Sequence, residues 1–558
     1  MLENMLDYLR ITLFTLLLIL GFFVFQAWDQ DHPALVLPTP TMAANANHFV
    51  PDLSAGVTQV TQAETPMPAT AVPAVSSDAK GELVEVTTDR FGITIDTLGG
   101  DILAVKLLQY PESLGSKTPY ILLNDDPKTR YIAESGLLSA LGPDTKERQA
   151  LFIPEQTTYT LAPNQNELTV RLNWEKDGLK VTKRFTFTRD SYEVKVAYDI
   201  DNQANTTWVG NRYTQLARMN TPPESQGGLI SLTTFFGAAV STPQKPFEKL
   251  TFKDLQQSKV NTVAKDGWAA MIQHYFISAW VADTSEESHY YSNVTPTGLY
   301  SIGMMGPSLT VPPQGKLTTE AKFYAGPTIA SELEKTSPTL KLSIDYGWFW
   351  FISGIIFWMM QKIYDVVGNW GWSIVLVTIV IKLLFYKLSA KSYRSMSALK
   401  MLQPRIELLK ERFGEDKQKL TQATLELYRS EKVNPMSGCL PILIQIPVFI
   451  ALYWVLVESV QLRQAPWILW IHDLSQKDPY YILPLLMGLS MFVQQRLNPP
   501  PPDPLQAKVM MAMPIVFTFL FKDFPAGLML YWFVNNTLSF LQQWHVMRQL
   551  THSSNVKK

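Results

Sequence analysis

The chain has 558 residues, a formal net charge of −1, 46% hydrophobic residues and one cysteine, Cys439. That length accommodates two or more domains, and the near-zero charge argues against a nucleic-acid partner. One cysteine excludes an intrachain disulfide, so a domain outside the cytoplasm has to fold without one. The first two-thirds is ordinary in polarity, while the last third holds several long apolar runs. This asymmetry predicts a soluble domain joined to a membrane domain.

In chain order, Ile11 to Phe25 is an apolar run behind Arg10. A cleavable signal peptide is the competing reading, but it needs small residues at its end. The run instead closes on Phe25-Gln26-Ala27-Trp28-Asp29. Residues 1–28 are therefore expected to form a retained transmembrane anchor. Arg10 before it, with Asp29 and Asp31 after it, places the N-terminus in the cytoplasm. Residues 29–82 are rich in Pro, Ala, Thr and Val and lack periodicity, as expected of a flexible linker.

From residue 83 to about 330 the pattern is that of β-strands. "LVEVTTDRFGITIDTLGGDILAVKLLQY" alternates and breaks at Gly99-Gly100. "ELTVRLNWEKDGLKVTKRFTFTRDSYEVKVAYDI" gives three strand-like runs, the first two joined at the hairpin signal Lys176-Asp177-Gly178. The expected architecture is a large antiparallel β-sandwich. No His and acidic cluster at metal-like spacing occurs in this stretch, which reads as a scaffold or docking domain.

Trp348 to Met360 is apolar, very aromatic, and shorter than the roughly 20 residues a span needs. Residues 346–369 are expected to form an amphipathic helix lying in the outer membrane interface, with an extra span as the alternative. Five apolar segments follow: Trp370 to Tyr386, Gly438 to Val457, Tyr480 to Val493, Val509 to Phe521 and Pro525 to Gln542. They assign 370–545 to a membrane core and 546–558 to a tail. The connection from Lys387 to Lys432 holds eleven Lys and Arg residues and is therefore cytoplasmic. With the anchor this makes six spans, both termini inside and the β domain outside. Within the connection, 395–432 reads as two amphipathic helices broken at Phe413-Gly414 and closed by Asn434-Pro435. It is either a solvated helical hairpin or a landing site for a partner. Pro499 to Pro502 and Pro504 predict a stiff cytoplasmic link. Pro441, Pro447, Pro484 and Pro514 predict kinks in the spans.

The first core segment contains a charge, Lys382, which costs about 2.5 to 3.5 kcal/mol at the centre of a span. It lies five residues before Lys387, near enough to the cytoplasmic end for its side chain almost to snorkel. Its neighbours favour another reading. Thr378 is one turn away on the same face. Gln445 lies in the first half of the second core segment. Asn535, Asn536 and Ser539 form a polar stripe in the last, with Trp532 one turn earlier. Several polar groups at similar depth point to a shared wet cavity.

"NPMSGCLPILIQIPVFIALYWVL", "LRQAPWILWIHDLSQKDPYYILPLLMG" and "FPAGLMLYWFVNNTLSFLQQ" resemble the YidC/oxidase-assembly family of membrane protein insertases. The order of segments matches that family as well. The resemblance implies a mixed membrane protein: an α-helical bundle of six transmembrane helices, with a five-helix insertase core, plus a large periplasmic antiparallel β-sandwich. It implies a multi-pass protein of the bacterial inner membrane that inserts and helps fold membrane proteins, alone or with the Sec translocon. It also implies a mutarotase-like fold for the β domain without that enzyme activity. Its groove would open to cytoplasm and lipid, lined by Lys382, Thr378, Gln445, Trp532, Asn535, Asn536 and Ser539. Family members usually carry arginine at the central cation. Lysine keeps the charge and loses the planar fork.

The expected sequence of events has three parts. The hairpin meets an emerging nascent membrane protein, together with ribosome or signal-recognition components. Acidic or polar residues of the client are drawn to Lys382. The client's apolar stretch then slides into the lipid beside the second and fourth core spans, where Met510, Met511 and Met513 offer adaptable contacts. No G-x-x-x-x-G-K-[ST] phosphate loop occurs, and no cofactor, metal or enzymatic activity is expected. A small-solute or ion transporter with an intramembrane lysine site is the alternative, although no paired repeat is visible. A Ser–Lys hydrolase would need a nucleophile motif that Ser373 and Ser539 lack.

Overall fold

The computed structural model describes residues 81–145, 148–222, 234–413, 416–431, 433, 440–498 and 504–555. The expected anchor, nearly all of the linker, Cys439, Gly414, the Asn434-Pro435 stop and the Pro499 to Pro502 link lie outside them.

Among the described residues, those between 83 and 327 form two antiparallel-dominated sheets, one of ten strands and one of nine. The expected β-sandwich is present. Alternation builds it: in Leu83–Thr87 the second and fourth residues are buried, and in Phe91–Asp96 the first, third and fifth. The three predicted runs are the strands Glu167–Lys176, Leu179–Thr188 and Glu193–Asn202. Lys176 pairs with Leu179 across Asp177 and Gly178. Both turn residues have positive φ, 51° and 80°, as a tight two-residue hairpin requires. The core between the sheets includes Trp208, Trp268 and Trp280, all fully buried, and such rings dominate core energetics.

One strand carries a cation into this core. Alternation puts Lys183 in phase with the buried Val181 and Phe185, and it is 0% exposed. Its Nζ donates to Gly99 O at 3.0 Å and Ser135 O at 2.7 Å. Burial lowers its pKa to about 8, opposed by the nearby Asp101, Asp144 and Glu134.

The helices, in chain order, are α1 (Phe252–Gln257), α2 (Ala330–Thr336), α3 (Trp350–Val367), α4 (Trp370–Leu384), α5 (Tyr386–Met401), α6 (Gln403–Phe413), α7 (Lys417–Ser430), α8 (Leu440–Glu458), α9 (Ile482–Leu497), α10 (Pro504–Phe521) and α11 (Ala526–Asn555). Local sequence sets the turn from α3 to α4. Gly368 ends α3 at φ 67°, and Asn369 accepts a hydrogen bond from Trp372 N as the N-cap of α4. Helices α4, α8, α9, α10 and α11 correspond to the five apolar segments, although α11 runs on to Asn555. Among the described residues no single helix is long and apolar enough to cross a membrane, and the bent pair α4–α5 passes that test together.

Helices α6 and α7 part after Phe413, where the sequence reading puts the break. The chain ahead of them differs from that reading: it bends by 67° between α4 and α5, and it breaks again at Leu402, ahead of Pro404. Proline has no N–H for the preceding turn and suits the start of a new helix. The four prolines also divide. Pro441 and Pro484 fall in the first turns of α8 and α9, where a missing N–H costs nothing. Pro447 and Pro514 are interior to α8 and α10.

Candidate functional site

Helix α4 buries Ile374, Val377, Thr378 and Ile381 on one face and exposes Leu376, Val380, Leu383 and Leu384 on the other. Lys382 sits at the edge between the two faces and is half-buried. Its Nζ donates to Ser539 Oγ of α11 at 2.7 Å and to Gln445 Oε1 of α8 at 3.4 Å. Gln445 Nε2 in turn donates to Asn535 Oδ1. Three helices distant in sequence thus meet at one ammonium. A recess opens beside it, lined by Ile381, Lys382, Phe385, Leu388, Ser389, Gln445 and Val448. Its lining combines apolar wall with a few convergent polar groups.

Of the residues singled out in the sequence, Lys382, Gln445, Asn535 and Ser539 form this network. Thr378 is 1% exposed, and its hydroxyl donates to Ile374 O one turn back at 2.6 Å. Asn536 points elsewhere: its Nδ2 donates to Ser490 Oγ of α9 at 3.4 Å. Neighbours on a helix are about 100° apart, so only one of two adjacent asparagines can face Gln445 of α8. Trp532 stacks on Phe449 at 5.0 Å and 5° and tilts against Phe521 at 4.5 Å. That aromatic layer lies one turn along α8 and α11 from Gln445 and Asn535. Met511 is exposed on α10, and Met510 and Met513 are half-buried.

Phe385, Leu388 and Ser389 of the recess were not anticipated. They reach it because the chain bends at Phe385, which a continuous helical pattern does not signal. The Lys382–Ser539 separation is also that of a Ser–Lys dyad. Ser539 Oγ, however, donates to Asn535 O at 2.7 Å, and the lysine acts as donor to it. Among the described residues no group of three or more His, Cys, Asp or Glu side chains is placed to hold a metal.

The family model for the YidC periplasmic domain matches residues 83–359, and that for the 60Kd inner membrane protein matches residues 362–553. A membrane protein insertase YidC of Pseudomonas entomophila is 45% identical over 555 residues, covering 98% of each chain. Its counterpart in Legionella pneumophila is 46% identical over 558 residues, covering 99% of each. An active YidC insertase crystal structure with its first transmembrane domain resolved is similar over 83% of this chain and 94% of that one, at 18% identity and a TM-score of 0.36.

Proposed function

The chain belongs to the YidC family of membrane protein insertases, and from that premise we propose how its recess handles a client. The function is membrane protein insertion, and its substrates are membrane proteins. The proposed topology has six spans, with the N-terminal anchor and α4, α8, α9, α10 and α11 crossing the membrane. Both termini and the hairpin α5–α7 lie in the cytoplasm, α3 lies in the outer interface, and the β domain is periplasmic. The eleven basic residues of the hairpin connection support this orientation.

The observation that carries the mechanism is the ammonium of Lys382 held by Ser539 and Gln445 beside an open recess. A cation there offers a positive field to carboxylates or carbonyls of a client's short translocated segment. Gln445, Asn535 and Ser539 provide further polar partners, so the segment keeps hydrogen bonds while partway across. Thr378 helps support the wall behind Lys382, and Asn536 braces α11 against α9. The Trp532–Phe449–Phe521 layer closes the recess toward the periplasm. The client's apolar stretch then moves into lipid along α8 and α10, past Met510, Met511 and Met513. Its burial supplies the driving force at about 25 cal/mol per Å².

The hairpin is the proposed contact for the ribosome or signal-recognition components, and the Sec translocon is a proposed partner. Neither a covalent step nor a bound cofactor is required. The test is reconstitution: purified protein in lipid vesicles should increase protease protection of a small client over lipid alone. Ion or solute flux through those vesicles without insertion would overturn the reading in favour of a transporter.

A further inference from the structure

The β domain is joined to the helices by more than the connecting chain at residues 328–349. The chain leaving α8 turns through Ser459, and the next residue, Val460, is buried within the hydrophobic core of the sandwich. Val457 O belongs to the last turn of α8, where carbonyls have no partner within the helix. It accepts a hydrogen bond from His274 Nε2 of the β domain at 2.8 Å. Three residues beyond Val460, Arg463 Nη2 donates to Pro111 O at 2.8 Å and to Glu112 O at 3.0 Å. Both carbonyls lie at the end of the strand Ile102–Pro111. The guanidinium also lies over the Tyr120 and Phe276 rings, 5.5 and 5.8 Å from their centroids. Those two rings stack on each other at 4.3 Å. Gln464 adds a third bond, from Nε2 to Pro111 O at 3.1 Å.

A planar cation on stacked aromatics with two carbonyl acceptors is a strong, directional contact. A lone connecting chain would allow the domain to swing, and the Arg463 contact, with those of Val460, His274 and Gln464, restricts that freedom. It is also remote from Lys382. Gln445 and Val457 are about 18 Å apart along α8 at 1.5 Å per residue, so the latch touches none of the groups at the recess. On the proposed topology the β domain lies beyond the C-terminal end of α8, on the periplasmic side, so the length of client chain available to meet it grows with the translocated segment.

We infer that Arg463 is a positioning residue that holds the β domain in one orientation over the C-terminal end of α8, and that this orientation serves clients with long translocated segments. The inference rests on the insertase reading but not on the entry step at Lys382. Its test uses the full chain in lipid vesicles with Cys439→Ser and spin labels at two exposed positions, Ile153 of the β domain (71%) and Val366 of α3 (86%). Electron–electron distance measurements report the seating, and protease protection reports insertion of two clients that differ only in the length of the translocated segment.

Arg463→Ala should broaden the distance distribution and raise the displaced population roughly tenfold or more, the factor expected for losing a hydrogen bond to a charged donor. It should leave the short client at the wild-type rate and slow the long one severalfold. Should the alanine variant not be recovered folded, Arg463→Lys, which keeps the charge but loses the planar fork that spans the two carbonyls, carries the same measurement. A narrow, wild-type distribution would overturn the latch. A displaced domain with equal rates for both clients, slowed or not, would overturn its role. Failure of the unmodified protein to insert the short client would count against the insertase reading instead, so the two failures are distinct.

Discussion

Replacing Lys382 with alanine removes the ammonium that donates to Ser539 Oγ at 2.7 Å and Gln445 Oε1 at 3.4 Å. The structure bounds the effect on a client. The side chain is half-buried, so an effective dielectric near 20 applies, and a client carboxylate about 4 Å away gains roughly 4 kcal/mol. The ammonium keeps its bonds to Ser539 and Gln445 and part of its hydration, which reduces this to about 2 kcal/mol, or roughly 30-fold in rate. The assay is the initial rate of protease protection in vesicles for two versions of one client. One carries Asp or Glu in the translocated segment, and the other carries Asn or Gln at the same positions. Lys382→Ala should slow the acidic client by about that factor and leave the neutral one near its wild-type rate. Lys382→Arg should preserve both, since the charge is kept. Equal losses for the two clients, or none for either, would refute an electrostatic role for this residue.

Other outcomes follow from the same geometry. Asn535→Leu should slow acidic clients more than Asn536→Leu does in the same assay, because only Asn535 joins the Lys382 network through Gln445. Lys183→Met removes the cation that faces Asp101 and Asp144 in the sandwich core, which also accept hydrogen bonds from Ser135 N, Gln149 Nε2, Leu137 N and Ala150 N. A cost of roughly 3–5 kcal/mol should lower the thermal midpoint of the β domain by about 10 °C, read by circular dichroism. Burial lowers the pKa of His274 from 6.5 to about 4, so the seated domain holds it neutral while the displaced one lets it charge. The seated state therefore binds fewer protons between those values. Its stability is full above pH 6.5 and falls as pH drops toward 4, by at most about 3 kcal/mol. Distance measurements on the labelled chain should show the domain loosening across that interval, with a flatter response in His274→Gln.

Much of the fold was legible because its signals are local. Asp177-Gly178 defines a hairpin by itself, and Gly368-Asn369 ends one helix and caps the next. Period-2 alternation identified the strands, and even Lys183 was in phase with its apolar neighbours. What alternation does not reveal is which backbone carbonyls meet that amine from strands far away in the sequence. The site was partly legible for a different reason. Lipid tolerates few polar groups, so Lys382, Gln445, Asn535 and Ser539 stand out against apolar helices. Rotation is harder to read: Asn535 and Asn536 are adjacent, and packing alone decides which one faces Gln445 of α8. The bend at Phe385, which brings Leu388 and Ser389 to the recess, and the Arg463 and His274 contacts depend on tertiary docking and leave no periodic trace.

On the proposed mechanism, client polypeptide enters the recess at Lys382. A photo-crosslinking residue at position 445, with a client stalled during insertion, puts this to the test. Efficient adducts to the client's translocated segment, reduced when Lys382 is alanine and the segment is acidic, are the predicted result. Adducts confined to lipid, or a client captured from exposed positions such as Val509 but never from 445, would contradict it.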